Sequence, residues 1–155
     1  MLTALHLFHH YQWCGLSAPG LSFPRQDLPA VCLACLLAAS KAEDCNAKLD
    51  RLVGLMDRLQ PNLPPFESVI FPLGKMPTKQ EVINYEYKIL LSRGFDLQMQ
   101  HPTDLLPQVL VETQAPEEVG HIVFDALCSR AYTDCTLCLE EDPAGCLCAA
   151  VLFAL

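Results

Sequence analysis

Apolar and polar positions along this chain recur at the three- and four-residue steps of helices, and no stretch alternates at every second position for long enough to make a strand. The pattern predicts a first helix over about Leu2 to Trp13, with Leu5 and Phe8 on its apolar side, ended by Gly15 and the Pro19-Gly20 pair. A second helix, Arg25 to Ser40, is almost wholly apolar after Leu28, and Pro29 fits its first turn, where a missing N–H costs nothing. A helix without a polar side belongs at the centre of a bundle. Ala47 to Leu59 carries a one-sided stripe of Leu49, Leu52, Val53, Met56 and Leu59, with Lys48, Asp50, Arg51, Asp57 and Arg58 outside it. Gln60 to Pro77 holds five prolines and reads as a loop or extended insertion.

Thr78-Lys79-Gln80-Glu81 has the form of a capping box, in which the Thr hydroxyl and the Glu carboxylate each satisfy a backbone N–H of the first turn. It opens a helix through Arg93, and Gly94 supplies a left-handed stop. His101-Pro102-Thr103-Asp104 starts another helix, to about Glu112, and Pro116-Glu117-Glu118 starts one to about Tyr132. Asp142-Pro143 opens a last helix that runs to Leu155 and ends in an apolar stretch, so further packing elements are expected against it. The fold class that follows is all-α.

Composition narrows the function. Apolar residues make up 52 % of the 155 and charged residues 18 %, which excludes general disorder. Eighteen acids against ten bases give −8, the wrong sign for phosphate binding, and point to a protein partner with a basic surface. No run reaches the ~18–20 apolar residues of a membrane span. The first residues carry no Lys or Arg ahead of an apolar core, which makes a poor signal peptide and leads to the expectation of an intracellular protein.

Nine cysteines is an odd number, and several sit inside apolar helical runs, as in Cys32-x-x-Cys35 and Cys146-x-Cys148, where a thiol packs as a small hydrophobe. Cys135-x-x-Cys138 with Cys146 and Cys148 could be read as a zinc set, but residues two apart on a helix point about 200° from each other. Cys32-x-x-Cys35 lacks the neighbouring strand of a redox motif. His6, His9, His10, His101 and His121 form no His-Glu-x-x-His or triad spacing, and there is no phosphate loop or recognisable nucleophile setting. Neither catalysis nor a cofactor or metal is expected.

Two charged residues stand out. Lys41, in the run Ala39-Ser40-Lys41-Ala42-Glu43-Asp44, closes the apolar second helix, a place the helix dipole favours for a cation. Glu86 sits in mid-helix among Tyr85, Tyr87, Ile89 and Leu90, near the apolar side, where a carboxylate is harder to account for. Taken in order, the Lys-acid cluster and the Tyr85-Glu86-Tyr87-Lys88 helix closed by Gly94-Phe95-Asp96 resemble the core of the cyclin box. Gly94-Phe95-Asp96-Leu97 followed by His101-Pro102 is similar to the Gly-Phe…His-Pro pattern of transcription-type cyclins, nearest the L-type and then the K-, T- and Q-types.

The resemblance implies a cyclin-box helical bundle: a nearly complete first box over residues 1–112, lacking the segment that normally precedes it, and a partial second box over 113–155. It further implies a cyclin-dependent kinase as partner, with Lys41 and Glu86 at the polar centre of the binding face and Ala42 and Glu43 beside them. Ala42 stands where many members place a larger apolar residue. Activation of a kinase that acts in transcription and pre-mRNA splicing, and a nuclear location, follow from the same analogy. Two other readings stay open: a helical interaction module or truncated isoform that binds without activating, and the related DNA-binding general transcription factor fold, which the acidic balance opposes.

Overall fold

Seven helices and no strand form among the residues described by this computed structural model, which are 2–17, 24, 27–45, 47–59, 76–128 and 142–154. They are α1 (Leu2–Ser17), α2 (Leu28–Ala42), α3 (Leu49–Leu59), α4 (Lys79–Ser92), α5 (Pro102–Thr113), α6 (Glu117–Leu127) and α7 (Pro143–Ala154). The fold is all-α. No helix among the described residues is long and apolar enough to cross a membrane.

Where boundaries differ from the pattern, local energetics account for it. Helix α1 continues through Gly15 to Ser17. A mid-helix glycine costs only about 1 kcal/mol against alanine, so it weakens a helix without stopping it. Helix α2 begins at Leu28 and extends to Ala42, which puts Lys41 inside its last turn. Helix α6 ends at Leu127 with Cys128 as its cap, and Tyr132 lies outside the described residues. The Pro19-Gly20 pair, Arg25, most of the proline-rich segment (60–75) and Cys135 and Cys138 lie outside the described residues.

The chain divides into two compact units, His10–Gln98 and Leu2–His9 with Met99–Leu155. In the first, α2 packs chiefly on α4, and α3 packs on both. Burial along α2 takes in Ala30, Val31, Leu33, Ala34, Cys35 and Leu37, which cover more than half of the way around the axis, and leaves Leu36 exposed. Ala30, Ala34 and Ala38 make a ridge of small side chains one turn apart, which lets a neighbouring backbone approach closely. Helix α4 buries Val82, Tyr85, Glu86 and Ile89 at helical spacing. Its capping box is formed as the sequence predicts: Thr78 Oγ1 accepts from Glu81 N at 3.2 Å, and Glu81 Oε2 accepts from Thr78 N at 2.7 Å. Lys79 pairs with Asp50 between α4 and α3.

In the second unit α5, α6 and α7 pack against one another around Leu106, Val123, Leu127, Leu147 and Ala150. Helix α5 therefore shares its core with α6 and α7. A Cβ added at Gly120 would lie 2.7 Å from Leu110 Cδ1, so the glycine sets the approach of α6 to α5. The N-terminus of α5 is fixed by His101: its backbone N–H donates to Asp104 Oδ2 at 2.8 Å, and its buried ring lies 3.0 Å through Nε2 from Thr3 Oγ1.

Three helices end alike. After α2, α4 and α5 a residue turns left-handed (Asp44, Gly94 and Gln114), and the next N–H reaches back to the carbonyls of Ser40, Leu90 and Leu110 at 2.8, 2.8 and 3.2 Å. Gly94 is joined by Phe95, also at positive φ.

Ile89→Ala is expected to destabilise the first unit by about 2–5 kcal/mol, because it removes a fully buried side chain from a packed core. Thr78→Ala should cost about 1 kcal/mol through loss of the cap. Urea unfolding followed by far-UV circular dichroism checks both, with the core variant showing the larger fall in midpoint.

Candidate docking site around Lys41 and Glu86

The site begins with the ends of α2. At the N-terminus Asp27 occupies the cap position, yet its carboxylate makes no cap hydrogen bond. It accepts instead from the Tyr85 hydroxyl of α4 at 2.5 Å. At the C-terminus Ser40 Oγ donates to the Leu37 carbonyl at 2.7 Å, and the left-handed stop at Asp44 fixes the last turn. That turn holds Lys41, whose Nζ lies 2.6 Å from Glu86 Oε1. Tyr85 and Glu86 are thus sequence neighbours that reach opposite ends of α2.

Glu86 is 6 % exposed, while the Lys41 side chain is 55 % exposed. The ammonium of Lys41 is the group that faces Glu86 Oε1, and among the described residues no second donor reaches that oxygen. The magnitudes are uneven. A buried carboxylate costs several kcal/mol unless its acceptors are met. A pair with one partner half in water contributes about 0–1 kcal/mol. Stability alone does not account for Glu86 being where it is. The arrangement leaves a desolvated acceptor beside a half-exposed cation, which together can receive a partner's N–H and donate to its C=O.

Ala42 is half-buried beside this pair, and Glu43, at the C-cap, is exposed. The four residues that the resemblance assigned to binding therefore lie at the end of α2 and on α4, with Lys41 and Glu86 in contact. Beyond Glu86, α4 exposes a ridge of Ile83, Tyr87 and Leu91 one turn apart. Phe95 continues it, with its ring edge-to-face with Tyr87 at 6.1 Å between centroids. This ridge went unremarked in the sequence, although its four-residue spacing is visible there. The Tyr85–Asp27 bond spans 58 positions and has no local signal.

Beneath the site, protonated groups hold the unit together. Burial and the Asp27 carboxylate push the Tyr85 hydroxyl far above its ordinary range, and burial also raises Tyr11. Burial pushes the Cys32 thiol up to about 11 and Cys35 further. Burial thus favours the protonated form of both thiols. Elsewhere, Cys146 is buried and Cys148 exposed, as their spacing requires, and among the described residues no three His, Cys, Asp or Glu are grouped to hold a metal. His10 lies against Cys14, and its protonation is disfavoured by burial and by Arg93.

No family model and no curated protein matches this chain.

The raised Tyr and Cys values fix a pH dependence. Unfolded Cys and Tyr release their protons near 8.5 and 10, whereas the folded groups keep them to higher pH. The unfolded chain then binds fewer protons, so stability is full below about pH 8 and falls as pH rises through about 11. Urea midpoints from pH 7 to 11 should show this decline. Tyr85→Phe should lower stability at neutral pH by about 1–3 kcal/mol, through loss of the bond to Asp27, and should flatten the alkaline fall above pH 10.

Proposed function

We propose that this chain is a cyclin-like regulatory subunit that binds and activates a cyclin-dependent kinase acting in transcription and pre-mRNA splicing. The observation that carries the reading is the Lys41–Glu86 contact, a buried carboxylate and a half-exposed ammonium at 2.6 Å, made by the two residues that the motif resemblance singles out. The exposed ridge of Ile83, Tyr87 and Leu91 beside Glu86 supports it, because a polar centre flanked by apolar side chains suits a protein partner.

On this reading Glu86 accepts from, and Lys41 donates to, backbone groups of the kinase segment that docks here. Ala42 and Glu43 bound the same surface at the end of α2. A kinase is competent only when its conserved Lys–Glu ion pair is closed and its glutamate-bearing helix is in place. A subunit that grips that helix from outside shifts the equilibrium toward the closed form by its differential affinity for the two states. On this reading the catalysis belongs to the kinase. The nuclear setting and the transcription-type kinase rest on the Gly94-Phe95…His101-Pro102 pattern, by analogy.

Retention of purified transcriptional kinases on the immobilised chain, with activity assayed on the eluate, tests the proposal. Wild type should retain and activate one of them. Lys41→Ala and Glu86→Ala should each weaken retention about thirtyfold or more, because either strands desolvated polar groups at a cost of at least about 2 kcal/mol. Retention without activity would favour a non-activating interaction module, and no retention by wild type would overturn kinase binding altogether.

A further inference from the structure

The net charge is not spread over the chain. The span His10–Gln98 carries nine acids and nine bases, whereas Met99–Leu155 carries nine acids and a single base, Arg130, and Leu2–His9 carries neither. The whole −8 therefore belongs to the second unit. Several of its carboxylates have local duties: Asp104 and Asp142 cap α5 and α7, and Glu112 accepts from Gln108. Those on α6 do not, apart from Glu117 with His121 at 3.8 Å.

Helix α6 exposes Glu117, Glu118, His121, Ile122, Phe124 and Asp125, with Ile122 and Phe124 each about half exposed. At 100° per residue these six occupy one continuous arc of about 160°. Phe124 lies at one edge and Ile122 at the other, with the carboxylates and His121 between them. The opposite side, Gly120, Val123 and Leu127, is the buried one.

We propose that this face of α6 is a docking surface for a basic amphipathic helix of a partner protein, one whose contact side has a central row of Lys or Arg flanked by apolar residues. Charge complementarity selects that occupant. Covering Phe124 and Ile122 removes the carboxylates between them from water, which is unfavourable unless cations replace the lost hydration. Lys and Arg do so while laying their aliphatic stems along the apolar edges, and Arg also stacks on an aromatic face such as Phe124. An anionic membrane or a nucleic acid meets the same carboxylates with the wrong sign. The inference uses nothing from the kinase reading and concerns a different surface.

Fluorescence anisotropy on the full chain tests it, with a labelled Lys/Leu helical peptide of about five turns, a scrambled peptide of the same composition, and a Glu/Leu peptide of the same pattern. The patterned Lys/Leu peptide should bind about tenfold or more tightly than the scrambled one, and the Glu/Leu peptide should not bind. Glu118→Lys with Asp125→Lys should weaken binding about tenfold or more, and Phe124→Ser alone should also weaken it, with far-UV circular dichroism unchanged. Equal binding of the scrambled peptide would reduce the effect to bulk charge and overturn the proposal. So would patterned binding that survives both variants, which would place the site elsewhere, or no binding to wild type.

Discussion

A helix that is apolar on every side has to be surrounded, and the first unit is arranged around that constraint. Helix α2 offers no polar stripe to water, so α3 and α4 pack on it, and Ala30, Ala34 and Ala38 allow close approach. Its charges are confined to its two ends, Asp27 before the first turn and Lys41 in the last. Both are met from α4, by Tyr85 and Glu86, so one short stretch of α4 fixes the central helix at both ends. The hydrogen bond at one end and the ion pair at the other differ in kind. Tyr85–Asp27 joins two groups in a short, directed contact, whereas the buried carboxylate of Glu86 faces a lysine whose side chain is half exposed.

That difference bears on function. A part-buried, hydrogen-bonded pair such as Tyr85–Asp27 contributes to stability and is accounted for by the fold. A buried carboxylate facing a half-exposed lysine contributes little to stability and carries the cost of its own desolvation. The exposed ridge of Ile83, Tyr87 and Leu91 lies on the same helix as Glu86, so the pair proposed to dock a partner has apolar side chains on its own element.

The second unit shows the other way an apolar chain meets its surroundings. Its three helices close a core on one side of α6, and Gly120 lets α5 come near. The solvent side of α6 then mixes carboxylates with half-exposed Ile122 and Phe124. Helix α7, without a polar stripe of its own, buries Cys146, Leu147 and Ala150 and leaves Leu152 at 76 % exposure.

The sequence by itself determined the class of fold, the rough positions of the helices and some of their caps. These are local matters: the 3.6-residue period, the Thr78–Glu81 capping box, and the left-handed residue after α4 all act within a turn or two of chain. It also marked Lys41 and Glu86 as unusual, because a charge next to a wholly apolar run can be seen without coordinates. Only the tertiary structure decided that the two lie 2.6 Å apart, that Tyr85 takes the carboxylate that would have capped α2, and that α5 shares a core with α6 and α7. Each of these joins residues from separate helices, and a contact between separate helices depends on how whole faces pack, which no short window of sequence specifies.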